Sequence, residues 1–194
     1  MKNYKALVIR KEKKIFSLKI EKINFDPVNS DEVMVKVEYS SINFKDLLVC
    51  SGNPALVRKF PHVPGIDAAG TVFKSNSKKF KVGEKVAIIA RPLGIKSPGG
   101  FSEFVTVPFN WLTKLPKNIT TKKSMILGTA GFTAMFAINL LISFGLKKSK
   151  LPVLVTGATG GVGVYSIIFL KKMGFTVHAS TTRSNKNNFL KKIG

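Results

Sequence analysis

Apolar and polar positions alternate most cleanly between Val33 and Tyr39. Val33, Val35, Val37 and Tyr39 fall on one face; Met34, Lys36 and Glu38 fall on the other. A period of two predicts a half-buried strand. Tyr4 to Arg10 predicts a first strand, Phe16 to Ile23 its hairpin partner, and Asn29-Ser30-Asp31 a turn. Pro61, Pro64, Gly65 and Gly70 punctuate residues 60–72 and lead into a strand whose small residues allow close backbone approach. Lys81-Val82-Gly83-Glu84 is turn chemistry before a strand over Lys85 to Ala90. Ser97-Pro98-Gly99-Gly100 is a loop before a strand over Phe101 to Val107. Short strands between Gly/Pro turns, continuing to about Leu115, predict an all-β, partly open barrel.

Two stretches break that pattern. Ser40 to Gly52 mixes Ser41, Asn43, Lys45 and Asp46 with Ile42, Phe44, Leu47 and Leu48. It predicts a loop entering a short helix, with Asn43 as N-cap and Asp46 three residues on; one reading of these residues makes both of them caps only, the other gives them chemistry. From Thr120 the periodicity turns helical. Ser124 to Leu146 carries no charge and is long enough to cross a bilayer, but Gly128, Thr129, Gly131, Thr133 and Asn139 interrupt it. A short helix, a break near Gly128 to Gly131 and a buried helix are predicted, with no membrane partner.

Leu151 to Gly163 then reads as strand, tight turn and helix. Val153-Leu154-Val155 meets Gly157, Gly160, Gly161 and Gly163, and Tyr165, Ile167, Ile168 and Leu170 follow at helical spacing. Phe175 to Ser180 predicts a second strand, which completes a βαβ unit. Glycines at such a turn let the backbone approach a pyrophosphate, and the new helix directs free N–H groups at it. The spacing is G-x-x-G-G-x-G rather than G-x-G-x-x-G, so the strand before and helix after carry the assignment; the competing reading is a Gly-rich turn with no ligand. A site for NAD places an acid about 20 residues past the loop. No Asp or Glu occurs from Leu151 to Gly194; instead the second strand ends in Ser180-Thr181-Thr182-Arg183. Hydroxyls and a guanidinium match a 2′-phosphate, which favours NADPH over NADH, whereas a merely solvated Arg183 would favour neither.

Composition changes the picture in three ways. The 194 residues include 32 basic and 10 acidic side chains, a net charge of +22. Only Arg10, Arg58, Arg91 and Arg183 are arginine, and the lysines are scattered, which argues against a specific nucleic-acid partner. The single cysteine, Cys50, excludes an internal disulfide and fits a reducing, cytoplasmic setting. The first residues lack the apolar core of a signal peptide.

The strings SSINFKD (40–46), FPHVPGIDAAGTV (60–72), ILGTAGFTAM (126–135) and VTGATGGVG (155–163) resemble the acrylyl-CoA reductase group, the zinc-free quinone-oxidoreductase-like branch of the medium-chain dehydrogenase/reductase superfamily. The resemblance runs over essentially the whole chain. It implies a mixed α/β fold: a GroES-like, alcohol-dehydrogenase-type partly open β-barrel over residues 1–118, then the start of a Rossmann doubly wound parallel sheet over 119–194. It also implies an NADPH-dependent reductase delivering hydride to the C=C bond of an α,β-unsaturated acyl-CoA, acryloyl-CoA to propanoyl-CoA. A quinone or enone substrate and a non-catalytic nucleotide-binding chain are the alternatives. In cofactor binding, the resemblance points to Phe44 at the nicotinamide, to Thr159, Gly160, Gly161 and Val162 under the pyrophosphate, and to Thr181, Thr182 and Arg183 at the adenosine phosphate. Relatives often carry Tyr at position 44 and Ser-Gly around 181–182. Zinc-dependent relatives place Cys early in the 40–46 loop and His after the glycine at 65, where this chain has Asn43 or Phe44 and Ile66. About three imidazole or soft ligands are needed for catalytic zinc; only Cys50, His62 and His178 exist, and His178 lies in the second nucleotide strand, so no metal is expected.

Without metal, charge arising on the thioester oxygen needs a positioned donor, and a proton must reach the α-carbon. The resemblance places Asn43 and Asp46 at the cleft: Asn43 orienting or donating to the oxygen, Asp46 holding the loop or relaying a proton. It further implies a small-molecule substrate and a homodimer. Relatives continue past Gly194 through the rest of the sheet, so this chain alone is expected to be poorly soluble or inactive unless a second polypeptide supplies the remainder.

Overall fold

The computed structural model describes residues 3–13, 15–149 and 151–194. The chain divides into two compact units, Met1–Thr129 and Ala130–Gly194.

In the first unit, β1 (Asn3–Glu12) and β2 (Ile15–Asn24) form an antiparallel hairpin in unbroken register. β3 (Glu32–Tyr39), α1 (Phe44–Cys50), β4 (Ala68–Ser75), β5 (Lys85–Ile88), β6 (Phe104–Pro108) and β7 (Thr113–Lys114) follow. The five later strands form one antiparallel sheet in the order β6-β3-β4-β5-β7. Its core is β-branched: Val33, Val35, Val72, Val86, Ile88 and Val107 are each at most 1% exposed. Such side chains suit a pleated, close-packed surface, and each contributes roughly 1.5–3 kcal/mol on full burial.

Three strand details differ from the pattern. Met34 is buried although it points away from Val33 and Val35, and it shares the wall of a cavity with Phe25 and Phe104; Tyr39, on the face expected to point inward, is 44% exposed. β5 stops before Ala90, whose φ of 56° is left-handed and ends the extended run. β6 begins at Phe104, since Gly99, Gly100 and Phe101 donate their N–H groups to Val63, Gly65 and Pro64 instead of continuing a strand.

α2 (Thr121–Ser143) carries the predicted break: Gly128 has φ 51° and ψ −160°. Among the described residues it is the one helix long and apolar enough to cross a membrane by length and composition. The uninterrupted part after Gly128 would measure only about 22 Å, against about 30 Å of hydrocarbon. That part is not the buried helix expected from its composition. Ala134 and Ile138, one turn apart, are buried, whereas Phe132, Phe136, Leu140 and Leu141 are 47–61% exposed. The second unit offers surface for one stripe of the helix only.

That unit contains β8 (Val153–Val155), α3 (Gly161–Lys172), β9 (Val177–Ala179) and α4 (Asn187–Ile193). β8 and β9 are parallel, as a strand–helix–strand crossover requires. Ile138, Val155, Ala158, Ile167, Leu170 and Leu190 form its core.

Candidate functional site

The sequence-predicted residues fall into two groups, one in each unit. In the first unit Asn43 is the N-cap of α1 and has extended backbone, φ −119° and ψ 157°. Its N–H donates to Asp46 Oδ2 at 2.8 Å, and the N–H of Ile66 donates to Asp46 Oδ1 at 2.9 Å. Asp46 is 1% exposed, so both carboxylate oxygens are spent on backbone. Burial pushes its pKa up, against the pull of those hydrogen bonds, and the charge of Asp67 adds to the rise.

Asp67 was not singled out from the sequence, and it organises this region. It is fully buried. Its Oδ2 accepts from Asn43 Nδ2 at 2.9 Å and from the Thr129 N–H at 2.8 Å; its Oδ1 accepts from Thr129 Oγ1 at 2.6 Å. In an unbroken helix the Thr129 N–H would bond the Met125 carbonyl. Here that carbonyl accepts from Ser41 Oγ at 2.8 Å. The two groups freed by the break are thus satisfied by Asp67 on one side and the 40–46 loop on the other. Gly128 is required at this point: a Cβ there would lie 2.9 Å from Asp67 Oδ2, on a left-handed backbone. Ser40 Oγ, against the carbonyl oxygens of Asp67 (2.8 Å) and Gly100 (2.7 Å), fastens the loop to β4. The available signal was a lone acid in the small, apolar run Gly65-Ile66-Asp67-Ala68-Ala69, where an unpaired charge is too costly to bury.

Beside this network the surface is apolar: Ile42 is 81%, Phe44 75% and Leu47 58% exposed. Asn43 itself is half-buried, with one amide N–H committed to Asp67.

In the second unit the turn from β8 into α3 is built around Gly163. A Cβ there would lie 2.5 Å from the Gly157 carbonyl oxygen, so only glycine lets the helix sit this close to the turn. A Cβ on Gly157 would meet nothing within 4 Å, which leaves open space over the turn. Gly160 is the N-cap of α3 and no side chain caps the helix, so its leading N–H groups stay available. Gly160, Gly161 and Val162 are exposed, and Thr159 is half-buried. Because β8 and β9 are parallel, their C-terminal ends share one edge. Ala158 N–H donates to Ser180 O at 3.1 Å, Thr159 Oγ1 and Thr181 Oγ1 lie 3.4 Å apart, and the Arg183 N–H donates to Thr181 Oγ1 at 3.1 Å. Thr182 and the Arg183 guanidinium are exposed beside them. A cradle of open N–H groups with hydroxyls and one guanidinium at its edge fits the diphosphate and 2′-phosphate of a dinucleotide.

His62 Nε2 lies 2.9 Å from the Gly94 carbonyl, and burial lowers the His62 pKa. Burial raises the Cys50 thiol. Among the described residues no group of three His, Cys, Asp or Glu side chains could hold a metal.

These two units define the class: a mixed α/β protein in which a GroES-like domain precedes the start of a Rossmann sheet. The alcohol dehydrogenase GroES-like domain family matches residues 29–117. Putative quinone oxidoreductase YhfP of Bacillus subtilis is 41% identical over 98% of this chain and 58% of its own length. Acrylyl-CoA reductase AcuI of Ruegeria pomeroyi is 40% identical over 98% of this chain and 58% of its own length. The structure of the yhdH oxidoreductase from Salmonella enterica in complex with NADP matches with a TM-score of 0.93 at 35% identity, covering 98% of this chain and 59% of that one. The chain belongs to the acrylyl-CoA reductase and quinone-oxidoreductase-like group of the medium-chain dehydrogenase/reductase superfamily. It spans 58% of the length of these two curated relatives.

Proposed function

We propose that this chain is part of an NADPH-dependent, zinc-independent reductase acting on the C=C bond of an α,β-unsaturated acyl-CoA, with acryloyl-CoA to propanoyl-CoA as the reference reaction. The reading rests on the turn at Gly157–Gly163, where open helix N–H groups adjoin the strand end at Thr181, Thr182 and Arg183, in a stretch with no Asp or Glu from Leu151 to Gly194. The dinucleotide, when bound, supplies the hydride. Thr159, Gly160, Gly161 and Val162 hold the diphosphate through backbone, and Arg183 pairs with the adenosine phosphate. Phe44 offers an apolar exposed ring to the nicotinamide, with no hydroxyl.

Asn43 is the donor to the thioester oxygen. Asp67 takes one of its amide hydrogens, and this fixes the plane in which the second is presented. Asp46 holds the loop: both of its oxygens are occupied by backbone N–H groups, so the loop-holding role is preferred to a proton relay. Asn43→Ala should lower kcat/KM for acryloyl-CoA about 100-fold with NADPH affinity unchanged, the size of one oxyanion donor.

The name of the Bacillus subtilis relative favours a second reading, a quinone or enone substrate. Following NADPH oxidation with acryloyl-CoA and with a quinone in parallel, on this chain completed by the C-terminal portion of that relative, separates the two. Turnover of acryloyl-CoA supports the first; turnover of the quinone alone replaces it with the second.

A further inference from the structure

We propose that the cavity walled by Phe25 and Phe104, in the first unit and built from the end of the β1–β2 hairpin, β3, β6 and the loop at Ser97, binds a small organic ammonium ion. The cavity measures about 350 Å³, within the range of small-ligand pockets.

Three observations converge on that chemistry. The first is the wall. Tyr4, Phe25 and Phe104 form a ring cluster with centroids 4.8, 5.1 and 5.6 Å apart, and Trp111 adds a fourth aromatic side chain. Aromatic faces attract a cation and cover its alkyl part. The second is charge. The chain carries 32 basic and 10 acidic side chains, yet among the described residues the charged side chains lining this cavity are Asp26 and Glu32, with no Lys or Arg. Glu32 uses Oε2 to hold the N–H and side-chain amide of Asn29. Asp26 makes no hydrogen bond or ion pair among the described residues. Its charge is felt across the cavity: burial first, then Asp26, raises the Tyr4 hydroxyl. The third is Ser97. Its Oγ lies buried at the cavity and lacks a hydrogen-bond partner among the described residues. A buried hydroxyl left unpaired calls for a partner; closed off as it stands, this one reaches an ammonium N–H in the cavity by rotation about its Cα–Cβ bond.

Trp111 is the only tryptophan, so the cavity carries its own optical reporter. Its emission is followed while the chain is titrated with n-butylammonium chloride, with n-butanol as the uncharged analogue and sodium chloride at matched ionic strength. A saturable change with n-butylammonium, with n-butanol at least about tenfold weaker, is expected. Asp26→Asn should weaken binding at least about fivefold and Ser97→Ala by a smaller factor. Asp26 is exposed and unbonded, so its replacement leaves the fold intact, which an unchanged melting temperature verifies. Absence of saturable change, equal response to n-butanol, or an Asp26→Asn titration matching the parent overturns the proposal. No nicotinamide cofactor enters the experiment, so its result is separate from the reductase reading.

Discussion

At the scale of residues, Asp67 is where the candidate site is decided. A buried carboxylate is tolerated because three donors surround it, and removing it strands them. Asp67→Ala should therefore destabilise the chain by about 1–3 kcal/mol for each donor left buried without a partner, read as a lower denaturation midpoint. Gly128→Ala introduces the converse fault, a side chain on left-handed backbone pressed toward the same carboxylate. A loss of about 1–2 kcal/mol is expected from the backbone conformation before any clash is counted. The sequence made the cap at Asn43 legible because Asn, a three-residue gap and Asp form a local motif. Asp67 and Thr129 were not legible as partners, because 62 positions separate them and only the fold brings them together.

At the scale of elements, the hold on α2 comes from both ends of its first segment. Glu38 on β3 accepts from Thr121 Oγ1, the first residue of the helix, and from Thr71 and Lys85 of neighbouring strands. Burial pushes the Glu38 carboxyl up, but these partners outweigh it and hold it at about 2, below its ordinary 4.5. A depressed carboxylate contributes stability that is present above its unfolded value and lost as pH falls toward the folded one. The melting-temperature gap between the parent chain and Glu38→Gln should therefore be full above pH 4.5 and shrink as pH falls to about 2. The strands and the glycine turn were legible from period and punctuation. The exposure of the second part of α2 was not: composition reports that Phe132, Phe136 and Leu140 are apolar, and only the number of elements packed on the helix decides whether they are covered.

At the scale of the whole molecule, apolar exposure and positive charge oppose each other. Phe132, Phe136, Leu140 and Leu141 recur at helical spacing on α2 and are each at least 47% exposed, an apolar stripe of the kind that marks an interaction surface. The net charge of +22 resists association between copies at low salt. Added salt screens that repulsion, so light scattering should rise with ionic strength; Phe136→Ser with Leu140→Ser should suppress the rise.

The dinucleotide site proposed at the turn between β8 and α3 carries the functional reading. The most direct test is a titration of NADPH and NADH, followed by the coenzyme's own fluorescence, against the parent chain and Arg183→Ala. One charge-assisted contact to the 2′-phosphate corresponds to roughly tenfold in affinity, so NADPH should bind about tenfold tighter than NADH, and Arg183→Ala should abolish the difference. Failure of NADPH to bind, or a preference that Arg183→Ala leaves untouched, would contradict it.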